Sequence, residues 1–344
     1  MEKILFLAHT ESDGNLGRAA LEALSSAVAL KQALAGSSLA AGFTGAATQP
    51  AADRIASCGA TPFFAVTGPD FGISRYSTDA AAAEALCRAS GATLVIAPAT
   101  SRWARVLPGV AARLGGRAET HVTGLSAAAD GLTAQRWYYR QRMEGNVRGV
   151  KRPWIILIDP GTQSAWEGAP GTAQIEQVAL AAKDSEKRTA TLGLRQPPAD
   201  AQTIRPDAAL LFVTGAGWTK KQADGQTHVP EAETLIRDFL KHTRASLGST
   251  KSLVDLGGEG VQVLSFLSHL NQIGQTGSTP RHPKGLSTCC HGEEPHTVGW
   301  RFVNERRAIS LDPNCGWARG KADVLYVADA FAVMRELNAL LAAG

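Results

Sequence analysis

The chain is poor in aromatic residues, which make up 6% of its 344 residues, and in charge, at 19%. So thin an aromatic supply disfavours a β-sandwich core and suits α/β layers built from alanine and small aliphatics. Charge of one sign is scarce too. The net charge is +4 at neutral pH, too little over this length to predict nucleic-acid or membrane binding. Five cysteines are present, none in a CxxC spacing, which fits a reducing compartment rather than a disulfide framework. No apolar run is long enough to span a bilayer, and ILFLAH from Ile4 is too short for a secretory leader. The expectation is a soluble, cytoplasmic protein without membrane insertion. No GxSxG elbow, HExxH or GxxxxGK[ST] occurs, so hydrolase, metalloprotease and P-loop chemistries lack a carrier.

What is present is an alternation of short apolar runs with alanine-rich amphipathic segments. ILFLA (Ile4 to Ala8), SLAAGFTG, PFFAV (Pro62 to Val66) and ATLVIAPAT (Ala92 to Thr100) read as strands. Between them, GRAALEALSSAVALKQAL, DAAAAEALCRASG and RVLPGVAARLG carry helical periodicity. This alternation predicts a parallel, doubly wound sheet. From Glu119 to Ile158 the pattern becomes HVTGLSA, LTAQRWYYR and PWIILID, strands with tight connections that predict a mixed or antiparallel extension. RQPPADAQTIRPD (Arg195 to Asp207) is the best linker candidate. After it AALLFVTGAG enters a glycine turn, and EAETLIRDFLKHTRASLG (Glu231 to Gly248) reads as a helix. AISLDP and ADVLYVAD follow as strands and FAVMRELNALLAAG as a terminal helix. The length favours two domains: an N-terminal α/β domain over 1–194, a linker over 195–207 and a C-terminal domain over 208–344.

Four clusters could carry chemistry. Gly215 and Gly217 follow a predicted strand, where phosphates and dinucleotides bind at the carboxyl edge of a parallel sheet. The third glycine of the dinucleotide fingerprint is replaced by Lys220, so a plain strand-to-helix turn is at least as good a reading. Gly274, Gln275, Thr276 and Gly277 gather donors and acceptors suited to the edge of a flat heterocycle, although such a tetrad is commonly an ordinary turn. Cys289, Cys290 and His291, with His282, His296 and Cys315, could suggest a metal. Adjacent cysteines on a strand point to opposite faces, however, and no metal is expected. The basic run Arg136, Arg140, Arg142, Arg148, Lys151 and Arg152 is interleaved with Trp137, Tyr138 and Tyr139. Single-stranded nucleic acid can bind such a strand, yet with so modest an overall charge a solvated edge or docking face is the favoured reading.

Taken in order, TGAGWTK, VDLG, NQIGQTG, ISLDPN and ADVLYVADAF resemble the C-terminal half of the electron-transfer flavoprotein α subunit. LVIAPATSRWARVLPGVAARLG (Leu94 to Gly115) resembles the N-terminal signature of the same family. The resemblance implies a C-terminal flavodoxin-like parallel sheet that binds a dinucleotide, FAD, within a heterodimer. The partner would be the β subunit, which in that family commonly carries AMP. Electrons would arrive from a dehydrogenase and leave to a quinone-reducing or other acceptor, so the chain would be a redox carrier rather than an enzyme with its own substrate. By position, Gly215 and Gly217 match the first cofactor turn, and Lys251 stands where the family has an arginine over the flavin. Gln275, Thr276 and Gly277 match the flavin-edge turn; Ser310 and Asp312 fall in the adenosine-side motif, and Asp329 matches a late aspartate. A cation near the ring and hydrogen bonds to its polar edge would raise the reduction potential.

A second reading is a docking subunit that has lost its flavin or uses another nucleotide. Ala216 stands where the family has an arginine, and CCHGEEPH (Cys289 to His296) replaces the turn that meets the pyrophosphate. Glu293 and Glu294 would set carboxylates against phosphates, at about 4 kcal/mol per pair at 4 Å for an effective dielectric near 20.

Overall fold

Ile4 to Ala8 are five consecutive apolar residues, each at most 2% exposed. A run buried on both faces is what a central parallel strand requires. In the computed structural model these residues form most of β1 (Lys3–His9). The structure describes residues 1–128, 131–139, 143–192, 204–205, 208–255, 262–273, 281–288, 303–315 and 322–343. The chain divides into two compact units, Met1–Leu194 and Arg195–Gly344.

In the first unit β1 is followed by α1 (Arg18–Ala33), β2 (Ser38–Gly45), α2 (Gln49–Arg54), β3 (Phe63–Thr67), α3 (Pro69–Gly72) and α4 (Tyr76–Ser90). Then come β4 (Leu94–Pro98), α5 (Ser101–Arg113), β5 (Arg117–Ala128), β6 (Gly131–Tyr138), β7 (Met143–Arg148), β8 (Trp154–Ile158) and β9 (Ile175–Gln177). The nine strands lie in the order β7-β6-β5-β8-β4-β1-β2-β3-β9. Every pairing from β5 through to β9 is parallel, and β5-β6-β7 form an antiparallel extension. The sheet is therefore mixed, and its antiparallel part falls where the sequence loses its helices.

Helices cover both faces. On one, Ala23, Leu24 and Ala27 of α1 and Ala51 and Ala52 of α2 meet Phe6, Phe43 and Ile96. On the other, Ala83 and Leu86 of α4 and Trp103, Val106 and Val110 of α5 meet Leu5, Val95 and Ile155. Alanine on the helix faces lets helix and sheet approach closely, which accounts for a dense core with few aromatics.

The second unit runs β10 (Leu210–Thr214), α6 (Val229–Thr243), β11 (Ser246–Ser249), α7 (Lys251–Asp255), β12 (His282–Thr288), β13 (Val303–Ser310), β14 (Val324–Val327) and α8 (Ala330–Ala343). Its five strands lie in the order β11-β10-β12-β13-β14, all parallel. Numbered within the unit this is 2-1-3-4-5, the flavodoxin-like order, whose direction reverses between its first and third strands. One face packs Phe212, Leu247 and Ile309 against Ile236 and Phe239 of α6 and Met334 of α8.

One expectation differs from the structure. The helix expected over Glu231 to Gly248 stops at Thr243. Arg244 adopts a left-handed conformation with φ 52°, and Ser246–Ser249 pair with β10 instead. The strand β12 had no sequence signal, because Pro283, Lys284 and Gly285 interrupt any apolar run.

Candidate functional site

The strand ends of the second sheet are level. Thr214 pairs with Ser249 on one side and Thr288 on the other. Thr288 pairs with Ile309, and Ser310 with Val327. Four of these five strands thus close on a hydroxyl residue, and Thr214, Ser249, Thr288 and Ser310 are all 1% exposed or less. Each buried hydroxyl must find a partner. Thr214 Oγ1 donates to the Gly248 carbonyl at 3.1 Å, and Thr288 Oγ1 to that of Val213 at 3.0 Å. Ser249 Oγ donates to the Thr250 carbonyl at 3.0 Å, and Ser310 Oγ accepts from the Asp312 N–H at 3.2 Å.

The candidate residues issue from this edge. Gly215 donates its N–H to the Thr288 carbonyl at 2.9 Å, extending the ladder between β10 and β12 by one bond. Ala216–Thr219 then form a buried 3-10 turn, which Trp218 anchors by packing on Phe331 with ring centroids 4.7 Å apart. Lys251 opens α7 directly after β11, with its side chain 50% exposed and Nζ 3.7 Å from Asp255 Oδ2. Asp312 follows β13 and accepts from the Asn314 N–H at 2.8 Å. Asp329 follows β14 and caps α8 by accepting from the Ala332 N–H at 3.0 Å. The structure places Gly215, Gly217, Lys251, Ser310, Asp312 and Asp329 along one carboxyl edge, where open α/β sheets bind ligands.

Gln275, Thr276 and Gly277 lie outside the described residues, as do Glu293 and Glu294. The segment leading to the first three is anchored at this edge: Ile273 donates its N–H to the Ser249 carbonyl at 3.0 Å. Missing from the sequence reading were the strand-end hydroxyls, Trp218 and Asp255. The recurring Ser or Thr at the end of LLFVT, SLGS, KGLST and RRAIS was the available signal.

Beside Asp329 is an open pocket of about 400 Å³, walled by Gln222, Asp224, His228, Glu231, Phe331 and Arg335. Several of its polar side chains pair among themselves, His228 with Asp224 at 2.7 Å and Arg335 with Glu231 at 2.5 Å. Cys289, Cys290, His291 and His296 lie outside the described residues. Among the described residues no group of three or more His, Cys, Asp or Glu side chains could hold a metal ion. His282 is buried and its Nε2 faces the Arg205 carbonyl at 2.9 Å and Ser246 Oγ at 3.0 Å, a structural role.

Arg136 and Arg152 of the basic run, and the neighbouring Arg117, are engaged by acids. Arg136 reaches Glu119 at 2.6 Å and lies over the Tyr138 ring at 4.4 Å; Arg117 also pairs with Glu119, and Arg152 with Glu2 at 2.6 Å. Arg140 and Arg142 lie outside the described residues. At the carboxyl edge of this sheet, His9 Nε2 is 3.2 Å from Thr100 Oγ1, across the point where β1 and β4 adjoin. Burial first, and the nearby Arg102 charge second, push the His9 pKa down from 6.5 to about 4.

A mixed sheet wound on both faces, followed by a second sheet of flavodoxin-like order, defines a two-unit α/β protein of the doubly wound class. The electron transfer flavoprotein domain model matches residues 4–183, and the chain belongs to the electron transfer flavoprotein family. That match lies within the first unit. Compared directly, no curated protein matches the chain. Among the described residues, no helix is long and apolar enough to cross a membrane.

Proposed function

We propose that the chain is the α-type subunit of a heterodimeric electron-transfer flavoprotein, with FAD held at the carboxyl edge of the second sheet. The observation that carries this reading is the level edge itself. Six residues singled out from the sequence, spread over positions 215–329, stand at or just after the ends of four parallel strands. In this reading residues 208–344 are the cofactor-binding domain and 195–207 its linker.

The residues present fit a flavin nucleotide. Gly215 and Gly217 have no side chains to hold a ligand off the backbone. The carboxylates of Asp312 and Asp329 accept hydrogen bonds from sugar hydroxyls, and Ser310 fixes the Asp312 turn. Lys251, half exposed and loosely paired, brings a positive charge to the edge and favours the added negative charge of a reduced ring. FAD, when bound, supplies reversible one- and two-electron chemistry. The protein's part is to hold it and set its potential. In this proposal a dehydrogenase donates the electrons, a quinone-reducing or other acceptor takes them, and AMP belongs to the β-type partner.

The test is the visible spectrum and nucleotide content of the chain co-expressed with its β-type partner. Stoichiometric FAD is expected. A pair that stays colourless after FAD is added, with none bound, overturns the reading in favour of a docking subunit.

A further inference from the structure

Asp255 lies one turn after Lys251 in α7, and its carboxylate stands between two basic side chains. Oδ2 is 3.7 Å from Lys251 Nζ, and Oδ1 is 3.9 Å from Nε2 of His269. The polarity of the Lys–Asp pair runs against helix preference. Cations are unfavourable at a helix N-terminus, and i,i+4 pairs stabilise best with the acid first. The lysine, aspartate and histidine side chains are also 50%, 39% and 62% exposed, where ion pairs add little to stability. Holding α7 together does not explain this arrangement.

It does restrain where the ammonium stands. His269 begins the 3-10 turn His269–Asn271, capped by Ser268. The next two residues lie against β11, with Gln272 bridged to Ser249 and Ile273 bonded to the same residue. Asp255 therefore ties the segment that carries Lys251 to the segment that leads into residues 275–277.

We propose that Asp255 is a positioning residue for Lys251, holding its ammonium at the carboxyl edge and masking part of its field. The proposal rests on the reading that places FAD there. A carboxylate beside an ammonium turns a point charge into a short dipole, whose potential falls off faster with distance. Removing the carboxylate frees and unmasks the cation, so reduction of the flavin, which adds negative charge, becomes easier.

The experiment uses the complex with the β-type partner in four forms: wild type, Asp255→Asn, Lys251→Ala and the double variant. Two quantities are measured, the FAD dissociation constant by fluorescence and the midpoint potential by spectroelectrochemical titration. Asp255→Asn is expected to shift the reduction equilibrium about tenfold toward the reduced form, about 30 mV for a two-electron couple. Lys251→Ala should shift it the other way. In the Lys251→Ala background the effect of Asp255→Asn should fall below half, the sign that it acts through the lysine. An unchanged potential in Asp255→Asn with FAD bound overturns this inference alone. A full shift that persists without the lysine also overturns it, since Asp255 would then act by its own field. A wild-type complex that takes up no FAD overturns the cofactor reading and this inference with it.

Discussion

The indole N–H of Trp218 donates to the hydroxyl of Thr288 over 2.7 Å, in full burial. The bond joins the turn after β10 to the end of β12, across the point where strand order reverses. Trp218→Phe keeps the ring packing but removes the donor, and should cost about 1–3 kcal/mol. Adding Thr288→Val should not recover that loss, because the hydroxyl it removes also donates to the Val213 carbonyl at 3.0 Å. Urea unfolding midpoints of the single and double variants check this; equal midpoints for wild type and Trp218→Phe would show the bond to be idle.

In the first unit Asp79 is fully buried and receives both Nη2 and Nε of Arg102, at 2.6 and 2.9 Å. Arg102 also reaches the Phe71 carbonyl at 2.7 Å, so one guanidinium ties α3, α4 and α5 together. Arg102→Ala leaves a carboxylate buried without its partner, and a loss of about 3–5 kcal/mol is expected. Asp79→Leu combined with Arg102→Met should be far less damaging, because neither charge is then stranded. Guanidinium unfolding curves that rank the two variants the other way would contradict this account.

Which of these features the sequence could show depends on how local their causes are. β1 and β4 are buried on both faces, so burial alone writes them as continuous apolar runs. β12 is written by its neighbours: Leu286 is placed by Phe212 of β10 and Arg307 of β13, and nothing within HPKGLST encodes that. The helix over Glu231 to Gly248 was extended too far for the same reason, since only pairing with β10 turns Ser246–Ser249 into a strand. Gly215, Gly217 and Lys251 were legible as motif residues. Asp255 and Thr288 were not, because their roles come from i,i+4 spacing and strand register that only the fold brings together.

The arginines of β5 and β6 bear on nucleic-acid binding. Arg117 and Arg136 share Glu119, a residue 4% exposed, and Arg136 also stacks on Tyr138. Cations committed to a buried carboxylate release few counterions from a polyanion. Arg117 and Arg136 are therefore expected to add nothing to any single-stranded DNA binding at physiological salt. Fluorescence anisotropy with a labelled oligothymidylate checks this, and an affinity that falls in Arg117→Gln or Arg136→Gln would contradict it.

The most acid-sensitive element of the first unit should be His9. Its ring is largely buried against Trp103, with centroids 5.7 Å apart, beside the Arg102 guanidinium. Burial, then that positive charge, hold its pKa at about 4, below the ordinary 6.5. A lowered histidine pKa means that the unfolded chain binds the proton more readily than the folded one. The stability contributed by neutral His9 is thus fully present above pH 6.5 and is lost as pH falls toward 4. At most the loss approaches about 3 kcal/mol, the worth of such a shift. Urea unfolding between pH 4 and 8 should show the decline in wild type and a shallower one in His9→Asn, which cannot take up the proton. Equal slopes in the two proteins would place the acid-labile group elsewhere.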